Sequence, residues 1–114
     1  MIEVSNLVKK YGDHTAVDHL SFQIEKGKIY GFLGPNGAGK STTMNMITGY
    51  IATTEGKVMI DGHDIKDFSR HDLRSLFGMV LQDTWLFGGT IKENLRWGNK
   101  EASDEEIVEA CKLA

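Results

Sequence analysis

The sequence of 114 residues contains a single cysteine, Cys111, and a single proline, Pro35. One cysteine excludes an internal disulfide and a cysteine-rich metal site. No apolar run approaches the roughly 20 residues that a membrane-spanning helix needs. The first residues, MIEVSNLVKKYG, lack the basic-then-apolar order of a secretory signal. These absences predict a cytosolic protein in a reducing compartment.

A surplus of positive charge is also missing, because the formal net charge is −3. Surfaces that bind nucleic acid are normally basic, so no nucleic-acid partner is expected. The hydrophobic content of 40% and the charged content of 25% are typical of one globular domain or part of one.

Apolar residues alternate with polar ones up to Ile24, around a turn at residues 12–13, which predicts antiparallel strands. The nearly unbroken apolar run at 29–33 predicts a strand that is buried on both faces, and residues 78–81 predict a second one. A further short strand is expected at 56–62. The pattern at 40–49 predicts a helix with Met44, Ile47 and Thr48 on one side, ending at Gly49.

Three more helices are predicted from their first residues. Ser69 would cap a short helix that extends to residue 77. Thr90 and Ser103 each precede a glutamate at the third helical position, which is the capping-box pattern. The last helix would place Cys111 on its apolar face, where we expect it to pack in the core.

The segment GFLGPNGAGKSTT, residues 31–43, carries the clearest chemical signal. Residues 34–41 fit G-x-x-x-x-G-K-[ST], between a predicted strand and a predicted helix, which is the context that this phosphate-binding motif requires. Glycines let backbone N–H groups approach an anion closely, and a helix N-terminus adds its unpaired amides and positive dipole. Lys40 would bridge the β- and γ-phosphates, and the hydroxyl of Ser41 would hold Mg²⁺.

The motif therefore predicts nucleoside triphosphate binding, but neither hydrolysis nor the identity of the base. The alternative is a glycine-rich turn that matches by chance. The predicted contacts in this loop are Gly34, Asn36, Gly37, Ala38, Gly39, Lys40, Ser41 and Thr42.

Two segments resemble the nucleotide-binding domain of ATP-binding cassette (ABC) transporters. YGDHTAVDHLSFQIEKGKIYGFLGPNGAGKSTTMNMITG is similar to the opening of that domain, and GMVLQD is similar to its glutamine loop. The resemblance spans the whole chain but corresponds to the first half of such a domain. It implies an α/β P-loop NTPase fold of the ABC ATPase type, here an incomplete domain. Residues 1–28 would form an antiparallel β subdomain, 29–82 would run from the phosphate loop to the glutamine loop, and 83–114 would begin the helical subdomain.

The resemblance also implies contacts outside the loop. Tyr11 holds the position where the family stacks an aromatic ring on adenine, and Val17 lies where the family places an apolar contact beside the base. Core packing is the alternative for Val17, and an ordinary strand-end aromatic for Tyr11. Gln82 corresponds to the glutamine that reaches the metal and the attacking water, and a surface glutamine on a loop is the alternative. The implied catalytic residues are Lys40 and Gln82, and the implied metal ligands are Ser41 and Gln82.

The implied cofactors are ATP and Mg²⁺, and the implied partners are a second ATPase domain and a transmembrane domain at the cytoplasmic face of a membrane. The transmembrane domain would dock near residues 82–87, where Trp85, Leu86 and Phe87 form an apolar group. Packing onto the helix after Thr90 is the alternative for this group. Residues 1 to 62 resemble stand-alone ATPase subunits, whereas the stretch from Ser69 resembles exporters with fused membrane and ATPase domains.

Several motifs of the family do not occur in the sequence. There is no LSGGQ signature and no apolar strand ending in Asp-Glu. None of the histidines at 14, 19, 63 and 71 matches the switch histidine of the family, and all four are expected to lie on the surface. Without these motifs the charge stabilisation of phosphoryl transfer is incomplete, and we expect the chain alone to be inactive. A non-hydrolysing nucleotide-binding module and a soluble ABC ATPase outside transport are the other hypotheses.

Overall fold

The computed structural model describes residues 1–80, 83 and 85–114. These residues fall into two compact units, Met1–Gly78 and Met79–Ala114. None of the described helices has both the length and the apolar character required to cross a bilayer.

The first unit is built on an antiparallel sheet of four strands. Strands β1 (Ile2–Tyr11), β2 (His14–Ile24), β3 (Glu55–Ile60) and β4 (His63–Asp64) lie in the order β2-β1-β3-β4. Residues 12–13 turn the chain between β1 and β2, and Tyr11 pairs with His14 at the end of that hairpin. The antiparallel strands predicted from the alternating pattern are confirmed, as is the strand predicted at 56–62.

Helix α1 (Lys40–Ile47) supplies the core with apolar side chains. Its buried residues Thr43, Met46 and Ile47 follow the i, i+3, i+4 spacing of one helix face. Ile47 and Thr48 of the predicted face are buried, but Met44 lies about 100° around the helix from Thr43 and is 49% exposed. The buried core cluster comprises Val4, Leu7, Val17, Met46, Ile47, Val58, Ile65 and Leu73.

A 3-10 helix at Ile65–Asp67 and helix α2 (Arg70–Ser75) complete the first unit. The predicted cap is confirmed, because the Ser69 hydroxyl accepts a hydrogen bond from the Asp72 N–H at 3.1 Å. Leu73 is the residue of α2 that reaches the core.

The two predicted buried strands are not formed. Residues 29–33 have no strand pairing, and Ile29 and Leu33 are 102% and 92% exposed. Residues 78–80 are likewise not in a strand, and Val80 is 92% exposed; Leu81 lies outside the described residues. An extended segment becomes a strand only by hydrogen bonding to a neighbouring strand, and no described strand pairs with these segments.

The second unit contains helices α3 (Ile91–Leu95) and α4 (Asp104–Leu113). Both predicted capping boxes are confirmed, with Thr90 and Ser103 as the caps. The prediction that Cys111 packs in the core is wrong, because this residue is exposed. Ile107 is the one buried residue among those of α4.

Candidate functional site

The phosphate-loop sequence enters α1 through a glycine that no other residue could replace without strain. Gly39 is the N-cap and has φ = 86°, in the left-handed region. A Cβ atom at this position would lie 2.4 Å from the backbone oxygen of Ala16, in β2, and 3.1 Å from Val17 Cγ2. The loop backbone therefore passes close to β2, which only glycine permits.

The N-terminus of α1 is not capped by any side chain, and its first turn holds no acidic residue. Within the described part of the chain, the N–H groups of Lys40, Ser41 and Thr42 have no hydrogen-bond acceptor, and that of Thr43 is the first to find one, on the Gly39 carbonyl at 2.9 Å. Unpaired amides and the positive end of the helix dipole favour an anion at this end.

Lys40 points back along the loop rather than out into solvent. Its Nζ donates to the carbonyl oxygens of Gly34 at 2.5 Å and Pro35 at 2.8 Å. An ammonium group has three donors, so this arrangement holds the charge over the loop and leaves one donor for another acceptor. The loop itself is tightened by a bond from the Ala38 N–H to the Pro35 carbonyl at 3.2 Å.

Thr43 stabilises the end of the phosphate loop through a hydrogen bond from its side chain. The sequence patterns did not predict this role. Its side chain is 1% exposed, and its hydroxyl donates to the Gly39 carbonyl at 2.9 Å. A threonine inside a helix commonly bonds to the carbonyl four residues earlier. That spacing within GKSTT is the signal from which this contact could have been predicted.

Tyr11 and the loop line the same cavity, of about 360 Å³. The cavity is open to solvent and falls within the range of volumes found for small-molecule sites. His14 and Ala16 line it as well, and neither was predicted to. Its lining comprises Tyr11, His14, Ala16, Asn36, Gly37, Gly39, Lys40, Ser41 and Thr42.

The lining thus brings together most of the predicted contact residues. Of the others, Gly34 contributes its carbonyl to Lys40, and Ala38 contributes its amide to the loop turn. Val17 is 6% exposed within the core and does not line the described cavity, which favours the packing alternative. All four histidines are exposed, as predicted.

The site predicted around the glutamine loop is described only in part. Gln82 lies outside the described residues. Trp85 and Leu86 are 80% and 82% exposed. Phe87 stacks on Trp97 at 4.6 Å between ring centroids, and its N–H donates to Asn94 Oδ1 of α3 at 2.8 Å. The packing alternative is therefore favoured for Phe87, while Trp85 and Leu86 stay exposed.

The described side chains fit magnesium only in company with phosphate oxygens. No group of three or more His, Cys, Asp or Glu side chains that could hold a metal occurs among the described residues. The hydroxyl of Ser41 is exposed and lines the cavity beside the unpaired amides. Mg²⁺ is commonly bound through few protein oxygens together with substrate phosphates and water, which matches this donor set.

A glycine loop that leads into an uncapped helix N-terminus, with a lysine held over it, is the arrangement found in P-loop proteins. Residues 17–114 match the family model described as ABC transporter, and the chain belongs to that family. The ABC ATPase fold predicted from the sequence is thereby confirmed, and the described sheet and helices form part of it.

The relatives are exporters or ABC ATP-binding proteins by name. "Putative multidrug export ATP-binding/permease protein" of Staphylococcus aureus is 43% identical over 115 residues, covering 99% of this chain and 20% of that protein. "Uncharacterized ABC transporter ATP-binding protein YfiC" of Bacillus subtilis is 47% identical over 96 residues, covering 84% of this chain and 16% of that protein. The similarity to ATP-binding/permease proteins is thus not confined to the residues after Ser69.

Among solved structures, "Structure of a bacterial Atm1-family ABC exporter with ATP bound" matches with a TM-score of 0.86 at 36% sequence identity. The match covers 97% of this chain and 20% of that one. The chain therefore spans about a fifth of the length of the exporters that it matches.

Proposed function

We propose that the chain binds the magnesium complex of ATP in the cavity between Tyr11 and the loop at 34–42. The observation that carries this proposal is the uncapped N-terminus of α1, whose unpaired amides line the cavity together with Lys40. The triphosphate would lie on these amides, and adenine would stack on Tyr11. Base–aromatic stacking is typically worth about 1–3 kcal/mol.

The loop residues would divide the work of holding the triphosphate. The third donor of Lys40 would bond to phosphate oxygens, while its bonds to Gly34 and Pro35 keep the ammonium in place. Ser41 and, by the family resemblance, Gln82 would hold Mg²⁺, which supplies charge neutralisation between the phosphates when it is bound. Val17 would support the loop from the core side and would not itself reach the base.

For the complete protein we propose an exporter ATPase that acts on the cytoplasmic face of a membrane. It would pair with a second ATPase domain and dock a transmembrane domain on the exposed Trp85 and Leu86, which follow Gln82 in the sequence. The names of the relatives support export over a soluble ABC ATPase outside transport. In this proposal residues 1–28, 29–82 and 83–114 are the β, nucleotide-binding and helical parts.

Binding is tested by replacing the lysine that is held over the loop. In Lys40→Met we expect MgATP affinity to fall about ten- to hundredfold, because a hydrogen bond to a charged group is worth roughly 1.5–3 kcal/mol. Isothermal titration calorimetry measures this directly. Lys57→Met removes an exposed lysine of β3, outside the cavity, and serves as the matched control. Equal affinities in Lys40→Met and the wild type would contradict the assignment.

Hydrolysis is tested separately from binding. The sequence contains no LSGGQ signature, so we expect phosphate release by the 114-residue chain to equal that of Lys40→Met. This outcome, with MgATP still bound, favours a non-hydrolysing module when the chain acts alone. Turnover far above that of the variant would show that these residues suffice for catalysis.

A further inference from the structure

The aromatic ring that faces the nucleotide cavity carries a cation on its surface. Lys9 Nζ lies 5.1 Å from the ring centroid of Tyr11, within the range of a cation–π interaction. The two residues are separated by one position in β1, so their side chains leave the strand on the same face. None of the sequence motifs includes Lys9.

The ammonium group of Lys9 is held in place and does not merely pass over the ring. It donates to the carbonyl oxygen of Ala52 at 2.8 Å. The segment that carries this carbonyl is itself bonded to β1, because the Thr54 N–H donates to the Val8 carbonyl at 2.9 Å. Thr54 Oγ1 in turn accepts from the Lys10 N–H at 2.9 Å. A long, flexible side chain is thereby fixed at both ends.

The position of Tyr11 in β1 explains why its ring benefits from a contact that restrains it. It is the last residue of β1, next to a two-residue turn, and it is 51% exposed. A half-exposed ring at a strand end loses side-chain freedom when a base stacks on it, and this loss lowers affinity. A cation fixed on one face restrains the ring before the ligand arrives, and the base would stack on the opposite face.

We propose that Lys9 is a positioning residue for the base: pinned by the Ala52 carbonyl, it holds the Tyr11 ring in the orientation that stacks on adenine. The inference rests on the proposed function, because it concerns the base half of the same site. It predicts that Lys9 contributes to affinity for a nucleotide but not for a bare triphosphate chain.

The experiment compares two ligands by isothermal titration calorimetry: MgATP, which has a base, and magnesium tripolyphosphate, which has none. In Lys9→Met the affinity for MgATP should fall about two- to fivefold, the size of an exposed cation–π contact. Affinity for tripolyphosphate should not change, and Lys9→Arg should restore MgATP binding. Lys10→Met is the matched control, because Lys10 faces Glu55 at 3.7 Å instead of the ring.

The coupling is measured in a Tyr11→Ala background, where Lys9→Met should have no further effect on MgATP. An equal loss for both ligands would mean that Lys9 only stabilises the fold, and would overturn the inference. Tighter MgATP binding in Lys9→Met would overturn it too, since the ammonium would then cover the face that the base needs.

The proposed function can fail independently of this inference. If the wild-type chain binds neither ligand, the phosphate-loop proposal fails. If it binds tripolyphosphate as tightly as MgATP, the phosphate loop stands but stacking on Tyr11, and with it the positioning by Lys9, is refuted.

Discussion

Replacing Gly39 by alanine tests the close approach of the phosphate loop to β2. Two separate costs arise at this position. The backbone has φ = 86°, which an L-residue with a Cβ adopts only with strain. The new Cβ would also lie 2.4 Å from the Ala16 carbonyl oxygen, far inside van der Waals contact.

The size of the effect follows from these two contributions. Left-handed backbone costs roughly 1–2 kcal/mol for a residue other than glycine. Relieving the contact requires β2 and the start of α1 to move apart, and forcing atoms into a packed site costs typically about 1–3 kcal/mol. The free energy of unfolding should therefore fall by about 2–5 kcal/mol, a large part of the roughly 5–15 kcal/mol of a small domain.

Gly37 provides the matched control in the same loop. It has φ = 84°, but a Cβ there would meet no atom within 4 Å. Gly37→Ala should thus cost only the backbone contribution, about 1–2 kcal/mol. Urea unfolding of both variants, followed by circular dichroism, measures the difference. Equal destabilisation by the two substitutions would refute the close approach of Gly39 to Ala16.

Two further predictions concern the second unit. The N–H and hydroxyl of Thr90 lower the pKa of Glu93 from its ordinary value of 4.5, so this carboxylate stabilises the fold above that pH, and the contribution is lost as pH falls through the lowered pKa. Unfolding followed from pH 7 to pH 3 should show a larger loss of stability in the wild type than in Glu93→Gln, where the carboxylates of Asp61 and Asp104, whose pKa values are also lowered, still contribute. Asn94→Ala removes bonds to the Phe87 N–H at 2.8 Å and the Phe87 carbonyl at 3.0 Å, and should cost about 1–3 kcal/mol. Trp97 fluorescence should shift as its stacking on Phe87 loosens; an unchanged spectrum and stability would contradict this reading.

The features that the sequence predicts well depend on residues close together in the chain. A capping box needs only Thr90 and Glu93, three positions apart, and both its hydrogen bonds are present. The phosphate loop likewise depends on glycines and a lysine within eight residues. Local hydrogen bonds and backbone preferences decide such features, so they can be read before the fold is known.

The cavity cannot be predicted from local sequence patterns, because Tyr11 and Lys40 are far apart in the chain. The family resemblance implied that the two meet, and the cavity lining agrees. His14 and Lys9 carry no such signal. Their positions follow from the register of β1 with β2 and from the segment around Ala52, and neither can be read from residue types alone.

The two buried strands were predicted wrongly because their formation depends on residues that are distant in the chain. A continuous apolar run predicts a strand covered on both faces, but burial is a property of the neighbours and not of the run itself. Around residues 29–33 the contacts that form are single ones: Phe32 lies 5.8 Å from Phe22 between ring centroids, and the Tyr30 hydroxyl accepts from the Glu25 N–H at 3.1 Å. These contacts tether the segment without supplying the ladder of hydrogen bonds that defines a strand. The apolar pattern of residues 29–33 therefore predicts a strand only if neighbouring strands are present to pair with it. The conformation of the phosphate loop, in contrast, depends mainly on its own glycines and lysine.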